Sequence, residues 1–450
     1  MSEPTRSSAD AAPLGGAASR GGGLVRALGV LGLAASVVNV TIGGGIFRLP
    51  SSPDVAGRLG AAAPLAYLLC ALAMGLIVLC FAEAGSRVSL TGGPYAYVET
   101  AFGPLVGFLV GVLLWLTGIF ATSAVATIFA DNVARLVPAL DGRTARVLLI
   151  AVTFIVLAVV NVRGVRQGAR LNAASTILKL APLLLLAVAG LFAIEPANLR
   201  WTTTPSSADV TRASIFLIFA FAGIESALVP SGEVRDPART VPRAVFLAMG
   251  LVTVIYIVLH LVAQGTLGPR LVGSATPLAD AAGVALGGWG ATLLSSGVVL
   301  STFGYLAGMT LATPRALFAF ARDGFLPASL ASIHPRFHTP WVAVIVQVVL
   351  AFALAATNRF EALAILANVS ALLVYLGCAL AAWQLRRRDV RGGGIPFRVP
   401  GGAVVPWLAV AVILFLLSSI TLREWAVVGV VLALSGAVYW IARGNRRAGS

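Results

Sequence analysis

The chain has 450 residues, of which 58% are hydrophobic and only 11% charged, with a mean hydropathy of +0.94 and a net charge of +15. Soluble domains carry roughly 25% charged residues, so this chain is too poor in charge to cover a water-facing surface, and most of its exterior must face lipid. The basic excess does not indicate a nucleic-acid partner, because the arginines fall in short segments between apolar stretches, as in proteins oriented across a bilayer.

Residues 1–23 are polar and rich in Gly, Ala and Ser, without the apolar core of a signal peptide, and read as a disordered cytoplasmic tail. A hydrocarbon core about 30 Å thick needs roughly 20 apolar residues per helix. By that measure about twelve transmembrane helices are expected, near 27–57, 62–86, 97–136, 144–163, 171–194, 210–231, 241–267, 279–312, 341–357, 360–386, 404–422 and 425–443. The third and eighth exceed one crossing and imply strong tilt or extension into water. Cys70, Cys80 and Cys378 sit inside apolar runs and read as packing residues rather than disulfide or metal partners. The first span is interrupted by Gly43-Gly44-Gly45 and the sixth by Gly223-Ile224-Glu225-Ser226. Roughly two arginines in three fall on one side, which places both termini in the cytoplasm; Arg135, Arg143 and Arg146 fit that placement least well.

The two interruptions stand five spans apart. Inverted repeats of secondary transporters break their first helices at mid-membrane in this way, and the substrate lies at the breaks. The expected organisation is an all-α, polytopic membrane protein with one transporter domain over 24–443 and a cytoplasmic tail at 444–450. Repeat one would span 27–194, repeat two 210–386, and two extra helices 404–443.

Three successive glycines weaken a helix by about 1 kcal/mol each relative to alanine. Two readings of them stand: close helix packing through small residues, or a break whose second half aims unpaired N–H groups and a positive dipole end at a carboxylate. Lys179 is the single lysine beside 31 arginines. Counted from Arg170 at 1.5 Å per residue it lies about 13–14 Å deep, where a charge costs roughly 2.5–3.5 kcal/mol. Arginine effectively never loses its proton, whereas a desolvated lysine can, so Lys179 either has an interior partner or serves a function that takes up and releases a proton. Glu225 either senses pH or a cationic group near the site, or caps loosened amides. Glu83, with Glu233, Asp236, Arg239 and Arg243, reads as an inner gate or ion-pair network, and Asp131 as solvated. His260, His334 and His338 are too scattered to hold a metal.

Gly43 to Phe47 followed by Pro50 resembles the G-x-G-I-F…P motif of the amino acid–polyamine–organocation (APC) superfamily. So do Phe81-Ala82-Glu83 with Gly92-Gly93-Pro94-Tyr95, Phe219 to Glu225 with Asp236-Pro237, Ala321 to Pro327, and Pro396 to Gly402. The resemblance covers nearly the whole chain after residue 25. It implies the LeuT-like five-plus-five inverted repeat with broken helices 1 and 6 and two extra helices. It also implies an α-carboxylate site at the Gly43-Gly44-Gly45 motif, through the amides of Gly44 and Gly45. The α-amino site would be the carbonyls of Thr41, Phe219 and Ala222, with Phe219 or Phe221 capping the substrate beside Gly223 and Glu225. Lys179, in its K-x-x-P-L-L context, matches the fifth-helix lysine of proton-coupled members, which stands where sodium-coupled relatives bind an ion. Arg48 departs from the pattern, since an apolar residue is usual there. It would snorkel outward, pair with an acid such as Glu225, or meet an anionic substrate group.

The expected function is secondary active transport of amino acids or related amines by alternating access, with proton-coupled symport preferred over exchange. A transporter-like sensor without flux is the alternative from another class. An enzyme would need clustered histidines or a nucleophile beside its base, and a channel an oligomeric filter; neither pattern is present in the sequence. No Walker motif occurs, so no nucleotide or organic cofactor is expected. The partners expected are the small-molecule substrate, protons and the lipid of the cell membrane.

Overall fold

The computed structural model describes residues 29–88, 93–163, 180–201, 204–223, 237–391 and 396–448. Among them every regular element is helical. Among the described residues seven helical stretches are long and apolar enough to cross a bilayer, and five further apolar helices are shorter. Lys179, Glu225, Glu233 and Asp236 lie outside the described residues.

The first span splits as its glycines require. Helix α1 (Val30–Thr41) stops at the motif, and short turns follow at Gly45–Phe47, Leu49–Ser51, Pro53–Gly57 and Gly60–Ala62. Helix α2 (Pro64–Arg87) is a full crossing. The third apolar segment is two helices rather than one tilted rod, α3 (Pro94–Phe102) and α4 (Pro104–Leu136). Gly103 at φ 92° ends α3, and Pro104 takes the first position of α4, where its missing N–H costs nothing. The eighth segment divides likewise at Gly287 into α9 (Pro277–Leu286) and α10 (Gly288–Ala312). Unbroken hydropathy concealed both corners.

The remaining elements follow in chain order: α5 (Arg143–Arg163), α6 (Leu180–Ala193), α7 (Ser207–Phe221), α8 (Pro237–Leu267), α11 (Pro314–Arg322), α12 (Trp341–Thr357), α13 (Phe360–Arg387), α14 (Val404–Leu417) and α15 (Leu422–Ala448). Helix α15 runs past Arg443, where the last span was expected to end. Helix α7 begins at a capping box in which Ser206 and Asp209 satisfy each other's backbone. The Ser206 hydroxyl, and then Arg58, hold the Asp209 carboxyl below the usual carboxylate range.

Helix α13 is the centre of the bundle. It packs against α4, α2, α7, α3 and α14, while α1 lies along α8. The apolar window of α13 is 72% buried and that of α15 only 11%, so α15 presents its apolar surface outward, as a lipid-facing helix must. Cys70, Cys80 and Cys378 are buried thiols, in keeping with packing roles.

Candidate functional site

Helix α1 ends in a tight turn. Ile42 takes φ −72° and ψ 80°, and the Gly43 N–H donates to the Thr41 carbonyl at 2.7 Å, the geometry of an inverse γ-turn. Gly44 leads into the turn at Gly45–Phe47. Among the described residues the amides of Gly44, Gly45 and Ile46 have no hydrogen-bond partner, and all three residues are buried. Buried amides left unpaired cost about 1–3 kcal/mol each, and this stretch has donors to offer an acceptor.

Helix α7 ends at Phe221; Ala222 is extended (φ −65°, ψ 152°) and Gly223 is left-handed at φ 101°. The two breaks touch. A Cβ on Gly45 would lie 2.8 Å from Ala220 Cα and 3.1 Å from Phe219 Cδ1, and one on Gly44 would lie 2.8 Å from Val125 Cγ2 of α4. Of the two aromatic candidates, Phe219 is the one beside the glycines, half-buried and edge-on to Phe360 at 5.7 Å. Phe221 is fully buried and packs edge-on against Tyr256 at 5.3 Å.

Two residues the sequence reading did not single out hold the broken helices in the bundle. The Tyr256 hydroxyl on α8 lies 3.0 Å from the Thr41 carbonyl and 2.9 Å from the Ala220 carbonyl. Asn368 on α13 donates to the Ile215 carbonyl at 2.6 Å. Both are fully or almost fully buried polar side chains in apolar helices. A buried tyrosine hydroxyl or asparagine amide needs a partner, and that is the signal by which they could have been found.

An ion cluster closes each end of α13. At its first turn, Arg48 lies 3.6 Å from Asp131 and 3.3 Å from Glu361, and donates to the Ser274 carbonyl at 3.1 Å. Asp131 also pairs with Arg146, and Arg135 pairs with Asp280. Of the three readings of Arg48, pairing with acids is the one the structure shows, with two carboxylates holding it and 15% of its side chain exposed. One expectation is corrected. Asp131 is not solvated, because two arginines enclose it and leave 6% exposed. The arginines at 135 and 146 that fitted the charge distribution poorly are counter-ions of buried or half-buried acids.

At the last turn of α13, Arg386 pairs with Glu83, which also binds Arg87 at 3.0 Å. The Glu83 and Arg87 side chains have no exposed surface. Glu83 further accepts the Val399 N–H at 3.2 Å, and Arg87 donates to the Val390 carbonyl at 3.3 Å. The segment between α13 and α14 is thus strapped across the end of α2. At 1.5 Å per residue the two clusters lie about 37 Å apart along α13, the first of them beside the breaks, where Phe360 meets Phe219.

The histidines have local work. Nε2 of buried His260 is 3.0 Å from the Gly60 carbonyl, and His334 Nδ1 accepts the amides of Arg336 and Phe337. Among the described residues no group of His, Cys, Asp and Glu could hold a metal.

The family profile described as "Amino acid permease" matches residues 28–442. The serine/threonine exchanger SteT of Bacillus subtilis (strain 168) is 29% identical over 444 residues, covering 95% of this chain and 98% of that protein. The methylthioribose transporter of the same organism is 26% identical over 441 residues, covering 94% and 95%. The large neutral amino acids transporter small subunit 2 of Mus musculus is 31% identical over 354 residues, covering 75% of this chain and 66% of that protein. With many apolar helices among the described residues and a family match over residues 28–442, the chain belongs to the amino acid permease family of the amino acid–polyamine–organocation superfamily.

Proposed function

We propose that this protein is a secondary active transporter that carries α-amino acids across the cell membrane by alternating access. The observation that carries the reading is the contact between the two helix breaks at Gly45 and Ala220, with unpaired amides on one side and helix-terminal carbonyls on the other. A substrate carboxylate would accept from the amides of Gly44 and Gly45 at the positive end of the second half-helix. Its ammonium would donate to the carbonyls of Thr41, Phe219 and Ala222. Phe219 would cover it, with Gly223 and Glu225 completing the α7 side. These contacts recognise the groups that all α-amino acids share, so the side-chain preference is set elsewhere.

One transporter domain over 24–443, with both termini in the cytoplasm, puts the Arg48 cluster on the outer face and the Glu83 cluster on the inner face. Alternating access then requires each cluster to open in turn. Each Arg48 pair is worth about 0.5–1 kcal/mol, so Arg48→Met should raise the outward-open population on the order of fivefold. The three native cysteines are buried, which makes a cysteine at Phe219 a clean reporter. A membrane-impermeant thiol reagent should label it about fivefold faster from outside in the Arg48→Met background; an unchanged rate would remove Arg48 from the gate.

Proton coupling through Lys179 is the preferred driving force, since its charge can be switched where an arginine's cannot. The exchanger name of one relative favours exchange as the second reading, and the methylthioribose transporter extends the substrates to be tried beyond amino acids. The test is uptake into proteoliposomes of labelled amino acids, polyamines and methylthioribose under a proton gradient, under a sodium gradient, and with preloaded substrate alone. Symport predicts accumulation under the proton gradient and its loss in Lys179→Met. Flux only into preloaded vesicles would establish exchange, and folded protein without any flux would leave a sensor.

A further inference from the structure

The Thr41 carbonyl, a proposed acceptor for the substrate ammonium, is already fully used. One lone pair takes the Gly43 N–H at 2.7 Å, and the Tyr256 hydroxyl stands at the other at 3.0 Å. The same hydroxyl is 2.9 Å from the Ala220 carbonyl on α7. A tyrosine hydroxyl has one proton, so it cannot serve both carbonyls fully at once. An ammonium arriving at Thr41 must displace a donor, and Tyr256 is the donor with a second acceptor waiting. Its ring is fully buried and fixed by Phe221 at 5.3 Å and Tyr67 at 6.2 Å, so only the proton needs to move.

We infer that Tyr256 is a positioning residue whose hydroxyl substitutes for the substrate ammonium at the Thr41 carbonyl when the carrier is empty, and yields it to the substrate by turning to Ala220. The inference rests on the proposed placement of the ammonium at Thr41. Its consequence concerns the return step. A carrier whose buried carbonyl lost one of its two donors on substrate release would resist crossing back empty, because an under-satisfied buried acceptor is disfavoured. With Tyr256 the empty site is satisfied and α1 stays tied to α7 during the return. Net transport, which needs the empty return, therefore depends on the hydroxyl. Exchange, in which the site is occupied in both directions, does not.

The experiment compares wild-type protein with Tyr256→Phe in proteoliposomes, measuring net uptake into empty vesicles and exchange into preloaded ones. The expected result is that Tyr256→Phe lowers net uptake about tenfold and leaves exchange within about twofold of wild type. Tyr67→Phe removes a neighbouring buried hydroxyl that has no partner among the described residues, and should change neither flux. Equal loss of both fluxes in Tyr256→Phe, no loss of either, or a wild-type protein that only exchanges would each overturn the inference. A wild-type protein that transports compounds without an amine equally well would instead overturn the placement of the ammonium. Should Tyr256→Phe not fold, 3-fluorotyrosine at position 256 keeps the hydroxyl. Its fluorine resonance should shift on adding the transported amino acid and stay fixed on adding the des-amino analogue; identical responses to the two would overturn the inference.

Discussion

Gly45→Ala is expected to lower transport efficiency on the order of thirtyfold while the protein still folds. The added Cβ would sit 2.8 Å from Ala220 Cα and 3.0 Å from Ala220 N, against an optimal carbon contact of about 3.5–4.0 Å. Both obstructing atoms are backbone, so no rotamer change relieves the clash, and the two breaks must move apart. Overpacking of this kind costs about 1–3 kcal/mol, or roughly five- to 150-fold, and it falls on the segment that presents the unpaired amides. At Gly44 the Cβ would meet Val125 Cγ2, the tip of a side chain, so Gly44→Ala should be milder. At Gly75 in α2 nothing lies within 4 Å, and alanine there should be neutral or stabilise by about 0.5–1 kcal/mol. The measurement is initial uptake rate per folded molecule, with substrate-induced thermal stabilisation as a second readout. Gly45→Ala that transports like wild type would mean that the breaks do not form the site.

The glycines and the spacing of the breaks were legible because they act locally. A helix cannot hide three consecutive glycines, and Gly223 at the end of α7 punctuates it in the same way. Hydropathy was a poorer guide to corners: Gly103-Pro104 and Gly287 turn the chain without interrupting its apolar character. Pairing was the least legible, since Arg48 meets Glu361 across 313 positions and Arg386 meets Glu83 across 303. Nothing in a linear reading ranks Asp131 above Glu225 as the partner of Arg48, or shows that Arg146 will turn back onto Asp131. Tyr256 was overlooked for a related reason. In sequence it is one more aromatic in an apolar span, marked only by a hydroxyl that needs a partner, and which partners it has shows only when two broken helix ends converge on it.

The inner cluster should show the largest effect on stability. Glu83→Ala removes the one carboxylate shared by Arg87, Arg386 and the Val399 amide. Arg87 has no exposed surface and so cannot recover hydration where it lies. Breaking a buried pair by deleting one partner costs about 3–5 kcal/mol, and the strap between α13 and α14 loses its tether as well. Glu83→Ala is therefore expected to reduce the yield of folded protein in detergent and its midpoint of thermal aggregation sharply. The double variant Glu83→Met with Arg87→Met removes both buried charges and refills the volume with apolar atoms, which is often close to neutral for a buried pair. Arg386, with 19% of its side chain exposed, sits at the helix end and can carry its guanidinium to the interface. The double variant should thus be more stable than Glu83→Met alone, a reversal of additivity that direct coupling of the two side chains produces. If the double variant were as unstable as Glu83→Ala, the cost would lie in the lost tether to Val399 rather than in the stranded charge. The end of α2 would then be a hydrogen-bonded anchor and not an ionic one.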